Sequence, residues 1–248
     1  MSYKDAFDEI FGNKKKVMVV SGHPDDLEVM AGGTVARLIK EGKEVRSVKV
    51  TMGDKGSQQQ EISKEELTQI RLKEDTASMK SLGITDDNNV YLKFEDGAVE
   101  NNMDLIKELA RQIRLFQPEI ILTHNPENKI IRFAEGVNWV NHRDHRNTAL
   151  SAVDAAYPYS RDTLFFPEQL KEAGAKSHAC AEFLFFDYYE GPDIVAVGVT
   201  DFIDARVAAH ANHSSQYSRE NAQESADFFT KLDDSGQNFE RFRYIIAD

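Results

Sequence analysis

The chain has 248 residues, 41% hydrophobic and 29% charged, the balance of a globular protein with enough length to bury a sizeable core. Its net charge of −12 argues against general binding to nucleic acid or to anionic membranes, which needs clustered Lys and Arg. No apolar run is long enough to cross a bilayer, no signal peptide is expected, and the single cysteine, Cys180, can make neither an internal disulfide nor a cysteine-rich metal site. The expected setting is a reducing cytoplasm and the expected partner a small molecule; a homo-oligomer stays open. The one basic run, Lys14-Lys15-Lys16, reads as a solvated lead-in to the first strand.

Lys16 to Ser21 is a short β-branched apolar run stopping at Gly22, the pattern of a buried parallel strand. Val35, Leu38 and Ile39 form a helical stripe within Gly33 to Glu41, ended by Gly42. Val45 to Thr51 alternates as a strand, and Met52 to Ser57 is a glycine-containing loop. From Ser63 to Leu82 the spacing of Leu67, Ile70, Leu72, Ala77 and Met79 predicts a long amphipathic helix, stopped by Gly83. Val90 to Phe94 reads as a strand, about Asn102 to Phe116 as a helix, and Glu119 to Thr123 as a strand after Pro118. Arg143 to Ala156 reads as a helix, and Phe183 to Tyr189 and Ile194 to Val199 as late strands. Thr200 and Asp201 are placed to cap a helix reaching about His213. With no repeat and no linker, this alternation predicts one α/β domain over residues 1–248. It is Rossmann-like, with a mostly parallel sheet and helices on both faces.

Open α/β sheets bind ligands beyond the carboxyl ends of their strands. His23-Pro24-Asp25-Asp26 follows the first strand, Gly53-Asp54-Lys55-Gly56 the second, and His142-Arg143-Asp144-His145 comes soon after the fourth. A catalytic zinc takes three protein ligands and keeps a position open for water. His23 and Asp26 can supply two of them from one turn restricted by Pro24, and His145 can supply the third. Neighbouring side chains on an extended segment point apart, so Asp26 can face the metal while Asp25 faces the water it activates. Asp25 can then take that water's proton and return it to the leaving amine. If the later cluster is helical, His142 and His145 share a face at i and i+3. A protonated His142 can stabilise the oxyanion and Asp144 can orient an imidazole. Each cluster alone also reads as a plain turn or a solvated helix start; their shared rim favours chemistry.

The remaining polar signals are weaker. His124 ends the fourth strand and can line the pocket or sit behind it. Gly32-Gly33 lacks the spacing of a dinucleotide fingerprint and fits close helix–sheet packing. His210 and His213, at i and i+3 without a carboxylate motif beside them, read as structural or as part of the rim. The stretch Asn125 to Asn141 is long for such a loop, so it is a candidate lid. Its Trp139 could stack on a sugar face, or simply pack the loop down.

Together the clusters resemble the LmbE-like (PIG-L) family of zinc N-deacetylases. The stretches carrying the likeness are Val19-Val-Ser-Gly-His-Pro-Asp-Asp-Leu-Glu28 with Ala31-Gly-Gly-Thr34, Thr51-Met-Gly-Asp-Lys-Gly-Ser57 and His142-Arg-Asp-His145, with a weaker match at His213-Ser-Ser-Gln216. The resemblance implies His23, Asp26 and His145 as ligands of zinc, or of another divalent first-row metal. It also implies Asp25 as general base and His142 as the oxyanion-stabilising residue. The implied reaction is removal of an acetyl group from an N-acetylglucosamine derivative; an amide of a thiol conjugate is the alternative. Two departures bear on the substrate. Arg143 stands where the family commonly has proline, and Met52 where it often has an arginine, leaving Lys55 or Arg71 to supply that contact. A non-enzymatic nucleotide-binding module would need a Gly-rich phosphate loop, and a purely structural metal site would not need the spare carboxylate of Asp25.

Overall fold

Four parallel strands set the frame: β1 (Lys16–Ser21), β2 (Glu44–Thr51), β3 (Asn89–Phe94) and β4 (Ile120–Thr123). They belong to a computed structural model that describes residues 3–57, 61–230 and 236–247. With β7 (Glu182–Phe185), β8 (Ile194–Gly198) and β9 (Phe239–Ile246) they form one sheet in the order β3-β2-β1-β4-β7-β9-β8. β7 continues the parallel set, and β9 runs antiparallel to both β7 and β8. The architecture is the expected α/β Rossmann-like one.

β1 is apolar from Val17 to Val20 because both its faces are covered there. Val17 and Val19 enter a core with α1 (Phe7–Phe11), α2 (Asp26–Lys40) and α3 (Lys64–Leu82). Met18 and Val20 enter the opposite core, against α4 (Met103–Phe116) and α5 (Arg143–Asp154). β1 lies between β2 and β4, so the strand order reverses beside it and opens a crevice at the strand ends. His23 follows β1 at that crevice, and His124 follows β4. No helix among the described residues is long and apolar enough to cross a membrane.

Several boundaries differ from the expected ones. Residues 125–141 contain a hairpin, β5 (Ile130–Ala134) and β6 (Val137–Val140). α6 (Ile203–His210) follows a 3₁₀ turn over Thr200–Phe202 and ends before His213. Neither Thr200 nor Asp201 caps it; the Thr200 hydroxyl instead accepts from Asn238 N–H at 2.9 Å. α1, α7 (Arg219–Thr230) and β9 were not expected at all.

α2 begins at Asp26, seven residues before the expected start, and breaks at Ala31, where φ is −146° and ψ 16°. The break frees backbone donors, and Glu240 of β9 takes them: Gly33 N–H at 2.9 Å and Thr34 N–H at 2.7 Å. Arg206 of α6 neutralises Glu240 at 2.9 Å, both side chains being buried. A Cβ on Gly32 would lie 2.9 Å from Arg206 Cγ, and one on Gly33 2.8 Å from Val199 Cβ. The two glycines therefore serve close packing. Removing one partner of a buried pair leaves the other charge uncompensated. Glu240→Ala should accordingly lose about 3–5 kcal/mol of stability, read as a lower urea midpoint; an unchanged midpoint would show the pair to be dispensable.

Candidate active site

The turn from β1 into α2 is backbone-strained. Asp25 has φ of 100°, in the left-handed region, which a residue with a Cβ enters at a cost. This conformation turns Asp25 and Asp26 in different directions. Asp26 points back under the turn, where its Oδ2 accepts His23 N–H at 2.7 Å. The Gly22 carbonyl above it accepts from both Thr51 N–H, at 2.9 Å, and the Thr51 hydroxyl, at 3.0 Å, joining the ends of β1 and β2.

Donor atoms of three residues converge here. His23 Nδ1 lies 3.2 Å from His145 Nε2, His145 Nε2 3.1 Å from Asp26 Oδ1, and His23 Nδ1 3.5 Å from Asp26 Oδ2. Ligands about 2.0–2.1 Å from a tetrahedral zinc stand roughly 3.3–3.4 Å from one another. The spacing and the chemistry of the donor set fit such an ion. The local charge fits it too, with the carboxylates of Asp25, Asp26, Asp96 and Asp144 gathered round two imidazoles. Burial would lower the pKa of His23, but its hydrogen bonds to the carboxylates of Asp144, Asp26 and Asp96 outweigh it and raise it well above the ordinary value. The surroundings thus favour positive charge.

Other histidines approach the same centre. His124 lies 3.2 Å from Asp26, but its Nε2 also accepts Gly22 N–H at 3.0 Å, so that nitrogen is already used. His124 is fully buried, stacks on His145 at 3.9 Å between ring centroids, and does not line the cavity. The expected substrate contact is therefore corrected to a supporting position behind Asp26 and His145. His142 is the N-cap of α5, and its Nδ1 accepts Asp144 N–H at 3.2 Å. Burial lowers its pKa, as do His23 and His145 nearby. These neighbours and the burial work against the protonated ring expected from the sequence, and the Nδ1 contact leaves Nε2 facing the cavity side as the nitrogen free to donate.

Asp144 is completely buried and ties three segments together. It accepts Gly97 N–H at 2.7 Å and Val99 N–H at 3.2 Å, and its Oδ2 stands 3.3 Å from His23 Nε2. Asp96 Oδ1 reaches the same ring nitrogen at 3.2 Å, while its Oδ2 accepts Lys55 N–H at 2.7 Å. Burial would raise the Asp96 carboxyl, but His23 and the Lys55 N–H outweigh it and bring it to about 2. Asp96 escaped the reading of motifs. Its position directly after β3, on the rim that carries the other clusters, was the available signal.

These groups open onto a cavity of about 380 Å³. His23, Asp25, Asp26, His142 and His145 line it, together with Lys55, Arg71, Asp96, Gln216 and Tyr217. Arg71 is buried and spends its guanidinium on protein: Nη2 bonds to Pro24 O at 2.6 Å and Asp25 Oδ2 at 2.7 Å, and Nη1 to Gly53 O at 2.7 Å. It joins the first two loops and holds Asp25. Burial pushes the Asp25 carboxyl up to about 6 against the opposing pull of Arg71. Lys55 pairs with Glu95 at 2.7 Å on the exposed edge.

Trp139 does not line this cavity. Its ring packs among Phe133 at 5.8 Å, Phe229 at 5.8 Å and Tyr189 at 6.0 Å, fastening the hairpin to α7 and to the segment after β7. The expected sugar platform is thus corrected to a packing residue. His213 differs as well: its Nε2 meets Glu28 Oε1 at 2.7 Å in a buried pair, a carboxylate brought near by the fold.

Fold and site together are those of an amide hydrolase of the deacetylase kind. The chain belongs to the PIG-L family, whose model, described as GlcNAc-PI de-N-acetylase, matches residues 18–156. It is 27% identical over 215 residues to a diacetylchitobiose deacetylase of Thermococcus kodakarensis, covering 84% of this chain and 73% of that one. A 1D-myo-inositol 2-acetamido-2-deoxy-alpha-D-glucopyranoside deacetylase of a Mycobacterium species is 24% identical, covering 82% and 74%. Among solved structures, the N,N'-diacetylchitobiose deacetylase of Pyrococcus horikoshii superposes with a TM-score of 0.79 at 25% identity, covering 95% of this chain and 85% of that one. A 4-carboxy-2-hydroxymuconate hydratase superposes at 0.69 with 18% identity, a likeness of fold alone.

Proposed function

We propose that this chain is a zinc-dependent N-deacetylase acting on a small N-acetylated amino sugar, an N-acetylglucosamine derivative. The observation that carries the reading is the set of 3.1–3.5 Å separations between donor atoms of His23, Asp26 and His145, with Asp25 lining the same cavity. The named activities of the relatives support the substrate class.

In this reading His23, Asp26 and His145 hold the metal, and zinc supplies the Lewis acidity that makes water nucleophilic near neutral pH. Asp25, held by Arg71, takes the proton from the attacking water and delivers it to the leaving amine nitrogen as the carbon–nitrogen bond breaks. His142 donates its Nε2–H to the oxygen that gains charge as the acetyl carbonyl becomes tetrahedral. Asp144 and Asp96 accept from His23 Nε2–H and keep its Nδ1 turned to the metal. Lys55, which lines the cavity, is the side chain we assign to meet a sugar hydroxyl.

The test is the zinc-loaded protein with a panel of N-acetylated sugars and N-acetylated thiol conjugates, measuring acetate and free amine. Equal release of both from an amino sugar is expected; amine release confined to thiol conjugates, or none at all, would overturn the assignment. His142→Ala should keep its zinc and lose about two to three orders of magnitude in kcat, the usual cost of one oxyanion donor. KM should change far less, because the contact forms mainly in the transition state. Zinc loss from this variant would instead make His142 a ligand.

A further inference from the structure

His142 meets the oxygen that gains charge in the reading above, so where it stands matters as much as what it donates. Its ring is held from within α5, through Nδ1 and Asp144 N–H. Its backbone is held by the residue before it. Asn141 directly follows β6 and is buried. Its N–H donates to Lys129 O at 2.9 Å, one step beyond the hairpin ladder. Its side chain reaches the other end of the same loop, Nδ2 donating to Asn125 O and to Asn128 O, each at 2.9 Å.

Asn125 is the counterpart of this latch. It follows His124 beyond the end of β4 and is fully buried. Its Oδ1 accepts Glu127 N–H and Asn128 N–H, both at 2.9 Å, shaping the turn that presents Asn128 O to Asn141. Its Nδ2 donates to Asp187 O at 3.1 Å, just beyond β7. The two asparagines thus tie the ends of β4 and β7 to the entry of α5. Arg146 secures the same point from the helix side, its Nη1 donating to Asn141 O. The metal ligand on α5 is anchored separately. His145 lies between Asp144, which accepts from Gly97 N–H and Val99 N–H, and Asn147, whose Nδ2 donates to Val99 O at 2.8 Å.

We propose that Asn141 is a positioning residue for His142, its buried amide fixing the entry of α5 and with it the distance of the His142 ring from the metal ligands. That ring stands 4.9 Å from His23 and 5.3 Å from His145 between centroids. The chemistry of the latch requires an amide. Two carbonyl oxygens need a side-chain nitrogen carrying two hydrogens, whereas a carboxylate would set acceptor against acceptor and leave both unpaired. The inference rests on the deacetylase reading and adds a residue to it. A small error in the placement of a catalytic group is enough to cost up to about a hundredfold in rate.

The experiment is a double-mutant cycle of Asn141→Asp and His142→Ala in the zinc-loaded protein, with Asn141→Ser as a milder second variant. Metal content, kcat and KM are measured on N,N'-diacetylchitobiose, and circular dichroism reports folding. Asn141→Asp keeps the size of the side chain and removes only its donors. It should retain metal and KM, lose about tenfold to a hundredfold in kcat, and cost nothing further once His142 is Ala. Asn141→Ser should follow the same pattern with a smaller loss, and it decides the matter if the aspartate variant does not fold. With an active parent, an unchanged kcat, a rise in KM alone, metal lost in step with kcat, or an equal loss in both backgrounds would overturn the proposal and leave the deacetylase reading intact. Failure of both variants to fold would do the same, since the latch would then serve the fold alone. A fully active His142→Ala would overturn the oxyanion assignment and this proposal with it. A parent that releases no amine from any N-acetylated sugar would overturn the deacetylase reading itself, and with it the role given to Asn141.

Discussion

His23→Ala, Asp26→Ala and His145→Ala should each bring bound zinc close to zero and turnover to background. A three-ligand site has no redundancy, and here each ligand comes from a different structural constraint. His23 follows β1, Asp26 opens α2, and His145 lies in the first turn of α5. Their neighbours are partly committed already, although His142 also brings a ligand atom within 4.8 Å of those of His23 and His145. His124 Nε2 is committed to Gly22 N–H, and His142 Nδ1 to Asp144 N–H. The variants should stay folded, because the cores on both faces of β1 contain none of the three residues. Metal analysis after gel filtration, with circular dichroism as the check on folding, decides the matter. Chelation of the parent should abolish activity and a divalent ion restore it. Full zinc retention in all three variants would remove the proposed centre, whereas iron or cobalt in place of zinc would not, since first-row affinities overlap.

Much of this site was legible because its residues are fixed by local chain geometry. A β-branched run ending at Gly22 locates the end of β1, and whatever follows such a strand in an open sheet lies on the ligand-binding rim. His23, Asp25 and Asp26 could be placed from that alone. The start of α2 was hidden because Asp25 adopts a left-handed conformation and Gly32-Gly33 break the apolar stripe. Those glycines answer to Arg206 and Val199, residues more than 160 positions away, and no local pattern encodes that. β9 was hidden by the same contact: Glu240 looks solvent-facing until its partners Arg206, Gly33 N–H and Thr34 N–H are assembled round it. His213 was read without a carboxylate for a related reason, since Glu28 lies 185 residues earlier in the chain. Trp139 and His124 show the converse error. An aromatic in a long loop and a histidine at a strand end are ambiguous between cavity and core, and only packing against Phe133 and His145 resolves them.

Asp25→Asn is expected to lose about two to four orders of magnitude in kcat, the usual contribution of a positioned acid–base group. The substitution suits this position. Asn tolerates the left-handed region that the φ of 100° at Asp25 demands, and its carbonyl can still accept from Arg71. What it cannot do is take a proton from water and pass it to an amine. Asp25→Ala would be a poorer probe, because it strands the buried Arg71 guanidinium without its counter-charge and adds a folding defect to the chemical one. Zinc content and urea midpoint of Asp25→Asn should therefore stay near those of the parent while turnover falls. KM should stay within a few fold, since the lost interaction belongs to the transition state. Near-parental turnover with normal zinc would exclude Asp25 as the base. Asp96, which lines the same cavity and stands 3.2 Å from His23, would then be the carboxylate to test.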